Sequence, residues 1–195
     1  MITQEKLLFF TSLLQDVSAD DVARLFERAS VRKLNPGEVY IGRYVKNDKL
    51  AYIEKGIIRV FTFKENGDEA TLMLRWEDQF VGSHDTILLN RPSNFIYQAI
   101  EETKILEIEY CVIEQIMAEK PHYEPIRNHV LMSMLGASLQ MIEDFILLNP
   151  EDRYKKLIAE RFDIVNRVPD KYIASMLGIT PVSLSRIRKR IATGR

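Results

Sequence analysis

The chain has 195 residues, an apolar content of 46% and a net charge of −1, so it is long enough for one or two domains with a hydrophobic core. It contains a single cysteine, Cys111, which excludes an internal disulfide and a cysteine-based metal cluster and fits a reducing cytoplasm. No apolar run is expected to span a membrane, and the N-terminus MITQEKLLFF lacks the basic region and cleavage site of a signal peptide.

Charge is distributed unevenly along the chain. Residues 151–195 contain 11 Lys and Arg against 5 Asp and Glu, a net charge of +6, whereas residues 1–150 carry −7. A basic C-terminal part on an acidic body indicates that one end of the protein meets a polyanion and the other does not.

The first half of the chain changes from a helical to a strand-like pattern. One apolar face over residues 4–15 predicts a short helix, and Ser18 and Asp21 predict the start of a second helix over about Asp20–Ala29. Short segments rich in β-branched and aromatic residues follow, separated by turn signals such as Asn66-Gly67. The predicted strands are Val31–Leu34, Val39–Ile41, Leu50–Glu54, Ile57–Phe63, Glu69–Trp76, Gln79–Val81, Phe95–Ile100 and Lys104–Ile108. Many short strands at close spacing predict a double-sheet roll or barrel.

Helices are predicted again from Tyr110 onwards, over Tyr110–Glu119, His122–Leu148 and Glu151–Val165. The long middle helix is apolar on two faces, and both must be buried. We expect one face to pack on the roll and the other on a second copy of the chain; the alternative is that both pack within one chain. The stripe assigned to the dimer interface consists of Ile126, Val130, Met134, Ala137, Met141 and Phe145. The second stripe consists of Leu131, Leu135, Leu139, Ile142 and Ile146.

The segment Pro169–Arg190 predicts two short helices joined by a tight turn, the layout of a helix-turn-helix. Asp170 is expected to cap the first helix, and Gly178 suits the left-handed residue that commonly ends a helix. Thr180 is the expected cap of the second helix, with a proline directly after it at the first helical position. Ala174 is small where the two helices should cross.

The second of these helices has two different faces. At about 100° per residue, Leu184, Ile187 and Ile191 form an apolar back, opposite a short, polar and basic front. Such a front suits the major groove of DNA, where Arg donates two hydrogen bonds to guanine, and Arg186 is the predicted base-contacting residue. The other predicted DNA contacts are Val182, Ser185 and Lys189 at neighbouring bases, and Thr180, Ser183, Arg188 and Arg190 at phosphates. The alternative is an ordinary helical hairpin with a solvated basic face.

The chain resembles the Crp–Fnr transcription regulators, the family of the cyclic-AMP receptor protein, over about residues 5–190. The resemblance lies in the order of the elements and in Pro36-Gly37-Glu38, Ile53–Phe61, Asn66–Glu69, Phe80–Ser83 and Leu184–Ile187. It implies an α+β fold with an N-terminal double-stranded β-helix or jelly-roll sensor domain (1–120), a dimerisation helix (121–148) and a C-terminal winged helix-turn-helix domain (149–195). Such a domain would read a two-fold symmetric site on double-stranded DNA. The segment Phe162–Val168 leaves little room for a hairpin wing before the motif.

The chain departs from the pattern of the relatives that bind cyclic nucleotides. The resemblance implies a glutamate for the ribose where this chain has Ser83, and an arginine followed by serine or threonine for the cyclic phosphate where it has Ser93-Asn94. Arg91 lies two residues early and would substitute only if the loop shifted. Because a buried phosphate without a guanidinium is costly, we predict that cyclic AMP is not a tight ligand. The candidate effector pocket consists of Gly82, Ser83, Arg91, Ser93 and Asn94.

The three histidines, His84, His122 and His129, are too scattered for the metal site of a jelly-roll enzyme, so no metal, no cofactor and no enzymatic activity are predicted. We expect a homodimeric, cytoplasmic, sequence-specific DNA-binding regulator that contacts RNA polymerase, with an unidentified small-molecule effector and no membrane partner. Two alternatives stay open. One is a regulator that responds to a cyclic nucleotide or another small ligand. The other is a ligand- or protein-binding module whose helix-turn-helix is only structural.

Overall fold

The structure is a computed structural model that describes residues 18–193, so the predicted helix over residues 4–15 lies outside the described residues. The first described helix, α1, spans Ala19–Glu27. Its start is capped as predicted, because the Ser18 hydroxyl accepts the Asp21 N–H at 3.1 Å and the Asp21 carboxylate accepts the Ser18 N–H at 3.2 Å.

All eight predicted strands are present, each within two residues of its predicted bounds. They are β1 (Ser30–Leu34), β2 (Val39–Ile41), β3 (Lys49–Lys55), β4 (Ile58–Phe63), β5 (Glu69–Arg75), β6 (Phe80–Gly82), β7 (Ile96–Ala99) and β8 (Thr103–Glu109). A four-residue helix, α2 (His84–Ile87), lies between β6 and β7 and was not predicted. Its cap, Ser83, is a residue type that often begins helices, so a local signal for α2 was present.

The strands form two four-stranded antiparallel sheets that face each other. Their orders are β1-β8-β3-β6 and β2-β7-β4-β5. Alternate side chains of both sheets fill the space between them, including Ile41, Ile53, Ile58, Val60 and Ile105. The predicted jelly roll is thereby confirmed, and β5 is one of the two edge strands of the second sheet.

The C-terminal half is helical. Its elements are α3 (Tyr110–Glu119), a 3₁₀ turn (Pro121–Tyr123), α4 (Glu124–Leu147), α5 (Pro150–Glu160), α6 (Ile164–Arg167), α7 (Asp170–Met176) and α8 (Pro181–Thr193). The single helix predicted over Glu151–Val165 is wrong. Arg161 leaves the helical conformation (φ −151°, ψ 77°), and its side chain pairs with Asp163 at 2.9 Å and Glu77 at 3.1 Å.

No hairpin wing precedes the helix-turn-helix. The segment Phe162–Val168 contains the single turn α6, and within residues 18–193 no strand follows Glu109. The winged form of the domain is therefore not seen in the part of the chain that the structure describes.

The long helix α4 lies in an apolar segment whose length and composition allow a membrane span, and this does not contradict the expectation that the protein has no membrane partner. By length and composition, the 27 residues Pro121–Leu147 are long and apolar enough to cross a membrane. A single helix of this kind is weak evidence for a membrane span, because the core helices of water-soluble proteins pass the same test.

The two apolar stripes of α4 have different surroundings. Val130, in the stripe predicted for the dimer interface, is only 6% exposed and packs with Leu50 of the roll and with Ile113 and Met117 of α3. Ile126 and Met134 pack against the same cluster. The second stripe is largely uncovered, with exposures of 51% at Leu135, 52% at Leu139, 52% at Ile142 and 75% at Ile146.

The C-terminal domain packs directly on the second sheet of the roll. Ile57 and Leu74 of the roll share one apolar cluster with helical residues that include Ile164, Ile173 and Leu184. At the edge of the sheet, the Ser175 hydroxyl of α7 accepts the Thr71 N–H at 2.9 Å and donates to the Glu69 carbonyl at 3.3 Å.

A buried arginine completes this contact. The Arg59 side chain has no solvent exposure, and its guanidinium lies 3.7 Å from the centre of the Tyr172 ring on α7 and 4.0 Å from that of Phe61. It donates hydrogen bonds to Thr71 Oγ1 at 2.9 Å and to the Glu69 carboxylate at 2.7 Å. The roll and the helix-turn-helix are therefore held together by specific polar contacts as well as by apolar packing.

Candidate nucleic-acid interface

The turn between α7 and α8 is built on Gly178, which has φ +74°. The Ile179 N–H bonds the Ala174 carbonyl at 2.9 Å, and the Gly178 N–H bonds the Ser175 carbonyl at 3.1 Å. These two bonds are the Schellman pattern that satisfies the last carbonyls of a helix. Ala174 is fully buried, as expected for the residue at the helix crossing.

The two predicted helix caps have different outcomes. Thr180 caps α8 as predicted, since its hydroxyl accepts the Ser183 N–H at 3.2 Å. The prediction that Asp170 caps α7 is wrong, because Pro169 occupies the cap position and Asp170 is already the first helical residue. The Asp170 carboxylate instead pairs with Arg188 of α8 at 2.8 Å, so it joins the two helices.

Helix α8 has the predicted apolar back and exposed front. Leu184 and Ile187 are buried in the core of the helical domain. Val182 is 61% exposed, and Ser185, Arg186 and Lys189 are exposed as well. Within residues 18–193, neither the Arg186 nor the Lys189 side chain makes a hydrogen bond or an ion pair.

The two remaining basic residues of α8 are engaged within the domain. Besides its ion pair with Asp170, Arg188 donates from Nε to the Tyr154 hydroxyl at 3.0 Å. Arg190 pairs with Glu151 of α5 at 2.7 Å. The Ser183 hydroxyl lies 3.0 Å from that of Thr180. The eight residues predicted to contact DNA thus share one helix and its cap, but of its basic residues only Arg186 and Lys189 have side chains with no polar partner in the described part of the chain.

Arg153 joins the long helix to the turn of the helix-turn-helix, and the sequence analysis missed it. Its guanidinium donates to the carbonyl of Leu148 at 2.6 Å, just after α4, and to the carbonyl of Leu177 at 2.9 Å, at the end of α7. It also lies over the Phe145 ring, 4.4 Å from its centre. No local sequence pattern predicts this contact, because the partners of Arg153 are main-chain groups that only the fold brings together.

The predicted effector residues lie together at one end of the roll. Ser83 and Ser93 are fully buried. The Ser83 hydroxyl accepts the Thr86 N–H at 3.3 Å, and the Ser93 hydroxyl donates to the Phe95 carbonyl at 2.9 Å. The Gly82 carbonyl accepts the Tyr97 hydroxyl at 3.1 Å. These polar groups are therefore committed to the roll itself.

Arg91 and Asn94 converge on a residue that the sequence analysis did not select, Asp85. The Asp85 carboxylate accepts hydrogen bonds from Arg91 Nε at 2.8 Å and from the Asn94 N–H at 2.9 Å. Burial by itself would raise the pKa of Asp85, but these two donors outweigh it and hold the pKa below its ordinary value. The group is thus a buried carboxylate anion.

No group of three or more His, Cys, Asp or Glu side chains within residues 18–193 is arranged to hold a metal ion.

Comparisons with known proteins identify the fold. No protein-family model matches the sequence, and no curated protein matches it significantly. Among solved structures, the c-di-GMP-responsive global regulator CLP of Xanthomonas campestris is similar, with 15% identity and a TM-score of 0.70 over 91% of this chain and 93% of that one. FixK2 of Bradyrhizobium japonicum has 15% identity and a TM-score of 0.68 over 85% of each chain. The catabolite activator protein of Thermus thermophilus has 17% identity and a TM-score of 0.55 over 91% of this chain and 85% of that one. The chain therefore has the fold of the Crp–Fnr regulators, as its resemblance to them implied.

Proposed function

We propose that the protein is a homodimeric, sequence-specific DNA-binding transcription regulator. The observation that carries the proposal is helix α8, whose apolar back is buried while Val182, Arg186 and Lys189 stand exposed on its front. A helix that presents an apolar side chain and exposed cations from a fixed helix-turn-helix suits the major groove. The likeness to CLP, which is described as a global regulator of gene expression, supports the same assignment.

The proposed roles follow from the surroundings of each side chain. Arg186 has no partner within residues 18–193, so it can donate both N–H groups of its fork to one guanine. Val182, Ser185 and Lys189 would contact neighbouring bases. The proposed phosphate contacts are Thr180, Ser183, Arg188 and Arg190. The two arginines would interact with the DNA backbone while each also pairs with a carboxylate of its own domain.

For the dimer we propose the uncovered stripe of α4 as the main contact. Leu135, Leu139, Ile142 and Ile146 are each at least half exposed, and an apolar row of this length is unfavourable in water. Of the stripe predicted earlier, Ala137 and Phe145 are also exposed, but at about 100° per residue they lie on a different side of α4 from this row. Two copies joined along this row would place two α8 helices on half-sites about one helical turn apart, so the operator should be two-fold symmetric.

A cytoplasmic location, contact with RNA polymerase and the absence of catalysis follow from this assignment and stay predictions. So does the statement that the roll does not bind cyclic AMP in the usual way, which is supported by the self-contained hydrogen bonding of Ser83 and Ser93.

The test is selection of random duplex DNA by the purified protein without added nucleotide, followed by sequencing. A two-fold symmetric motif is expected. Arg186→Ala should then lose about 1–3 kcal/mol of binding free energy on that site and relax the preference at one base position. Arg28→Ala removes an exposed arginine on the roll side and serves as the matched control. An Arg186→Ala protein with the wild-type site preference would contradict the proposal.

One observation favours the second candidate, a binding module with a structural helix-turn-helix. Arg188 and Arg190 both pair with acids of their own domain, as they would if α8 only stabilised the fold. This candidate predicts weak DNA binding that depends little on salt, whereas several phosphate contacts produce a steep salt dependence. Measuring affinity across a salt series distinguishes the two.

A further inference from the structure

The Asp85 carboxylate is only 1% exposed. Arg91 reaches it with two nitrogens, Nε at 2.8 Å to Oδ1 and Nη2 at 2.8 Å to the same oxygen. The Asn94 N–H bonds the other oxygen, Oδ2, at 2.9 Å. His84 adds a more distant contact, with Nε2 at 3.9 Å from Oδ1. Both oxygens of the carboxylate are therefore held by cationic or main-chain donors.

The loop around Asp85 fixes these donors in place. The Arg91 N–H bonds the Asp85 carbonyl at 3.0 Å, and the Thr86 hydroxyl donates to the Arg91 carbonyl at 3.1 Å. The Asn94 carbonyl is itself bonded by the Thr62 hydroxyl at 3.1 Å. A guanidinium and a main-chain N–H aimed at one point form the donor set that binds oxyanions. Asp85, in the adjoining helix α2, occupies this donor set, and the Arg91 side chain that contributes to it is 55% exposed.

We propose that the Asp85 carboxylate is a built-in anion that fills the roll's oxyanion site, formed by the Arg91 guanidinium and the Asn94 N–H. The site lies in the loop where the predicted effector residues converge. While Asp85 is in place, a phosphate-bearing effector would have to displace it or sit against its negative charge, and both are costly. The roll is thus closed to such ligands at this position by its own residue. Removing the carboxylate should create a vacant site for a small oxyanion. Such a closed site would explain the proposed lack of usual cyclic-AMP binding, and it does not depend on DNA binding.

The contrasting interpretation is an ion pair that only stabilises the loop. Both interpretations predict that Asp85→Ala lowers the melting temperature. They differ in what an added anion does, because only a formed and vacated site can be refilled specifically.

The experiment measures the melting temperature of Asp85→Ala and wild type in sodium formate and in sodium chloride at equal ionic strength. Formate has the size of the deleted carboxylate group. We expect a saturable rise of roughly 2–4 °C in formate over chloride for Asp85→Ala and none for wild type. The double variant Asp85→Ala with Arg91→Ala should lose the rise, because it lacks the main donor. An equal response of Asp85→Ala to formate and chloride would overturn the proposal, as would an unchanged rise in the double variant.

A second measurement covers the case in which Asp85→Ala does not fold. Asp85→Ser keeps a short polar side chain at this position in α2 and also leaves the two donors without a carboxylate. Titrated with inorganic phosphate in a calorimeter, it should bind saturably where wild type does not. Absence of binding to Asp85→Ser, or equal binding to wild type, would refute the built-in anion.

Discussion

Replacing Glu77 by Gln perturbs the ionic contact between the roll and the C-terminal domain. The Glu77 carboxylate accepts hydrogen bonds from Arg167, from the Gly56 N–H at 2.8 Å and from Arg161 at 3.1 Å. Burial by itself would raise the pKa of Glu77, but these donors outweigh it and lower the pKa from its ordinary value of 4.5 to about 2. The charged form is therefore stabilised specifically in the folded state.

This pKa shift sets the contribution of Glu77 to the free energy of unfolding and its dependence on pH. At about 1.4 kcal/mol per pKa unit, the full difference would amount to roughly 3 kcal/mol. The side chain is 21% exposed, and solvent screening reduces the expected contribution to about 1–2 kcal/mol. Because the folded-state pKa is depressed, this stability is fully present above a pH of about 4.5 and is lost as the pH falls towards about 2.

Urea denaturation of wild type and Glu77→Gln, followed by circular dichroism at a series of pH values, measures the effect. We expect the variant to be less stable by about 1–2 kcal/mol at neutral pH, and the difference to shrink as the solution becomes acidic. Glu65→Gln, in the exposed β4–β5 hairpin, is the matched control. Equal stabilities of wild type and Glu77→Gln at neutral pH, or a difference that does not change with pH, would refute the reasoning.

Two further predictions concern the long helix and its junction. Arg153→Met should lower the free energy of unfolding by about 2 kcal/mol, because it leaves two helix-terminal carbonyls without their charged donor. Urea denaturation measures this change. A stability equal to that of wild type would show that water replaces the guanidinium without loss. Ile142→Glu places a charge in the proposed dimer contact and should weaken dimerisation by roughly 100-fold or more. Analytical ultracentrifugation measures the dimer dissociation constant. An unchanged dimer would place the interface elsewhere.

The elements that the sequence predicted well are those governed by neighbours in the chain. The turn of the helix-turn-helix depends on Gly178, because glycine adopts a positive φ at low cost. It also depends on Thr180, whose hydroxyl accepts an N–H three residues away. The strand bounds follow from the turn signals between them. Asp170 shows where prediction from neighbouring residues fails. A shift of one residue in the start of α7 decides whether this carboxylate caps its own helix or pairs with Arg188 of α8.

The contacts that the sequence did not predict join distant parts of the chain. Ser175 and Thr71 are 104 positions apart, and only the folded roll brings them together. The two stripes of α4 are similarly apolar, so periodicity alone did not decide which one faces the roll. The role of Asp85 was not predicted, because an aspartate between two predicted strands is usually solvated, and its burial depends on where Arg91 and Asn94 come to lie.

The position of α7 on the rim of the second sheet has a consequence for solubility. The outer edge of β5 carries main-chain groups that would otherwise be open to pairing with a strand from another molecule, and Ser175 occupies two of them. A movement that lifted the helical domain from the roll would uncover this edge together with the apolar surface around Leu74. The docked helix thereby protects the roll against strand-to-strand aggregation.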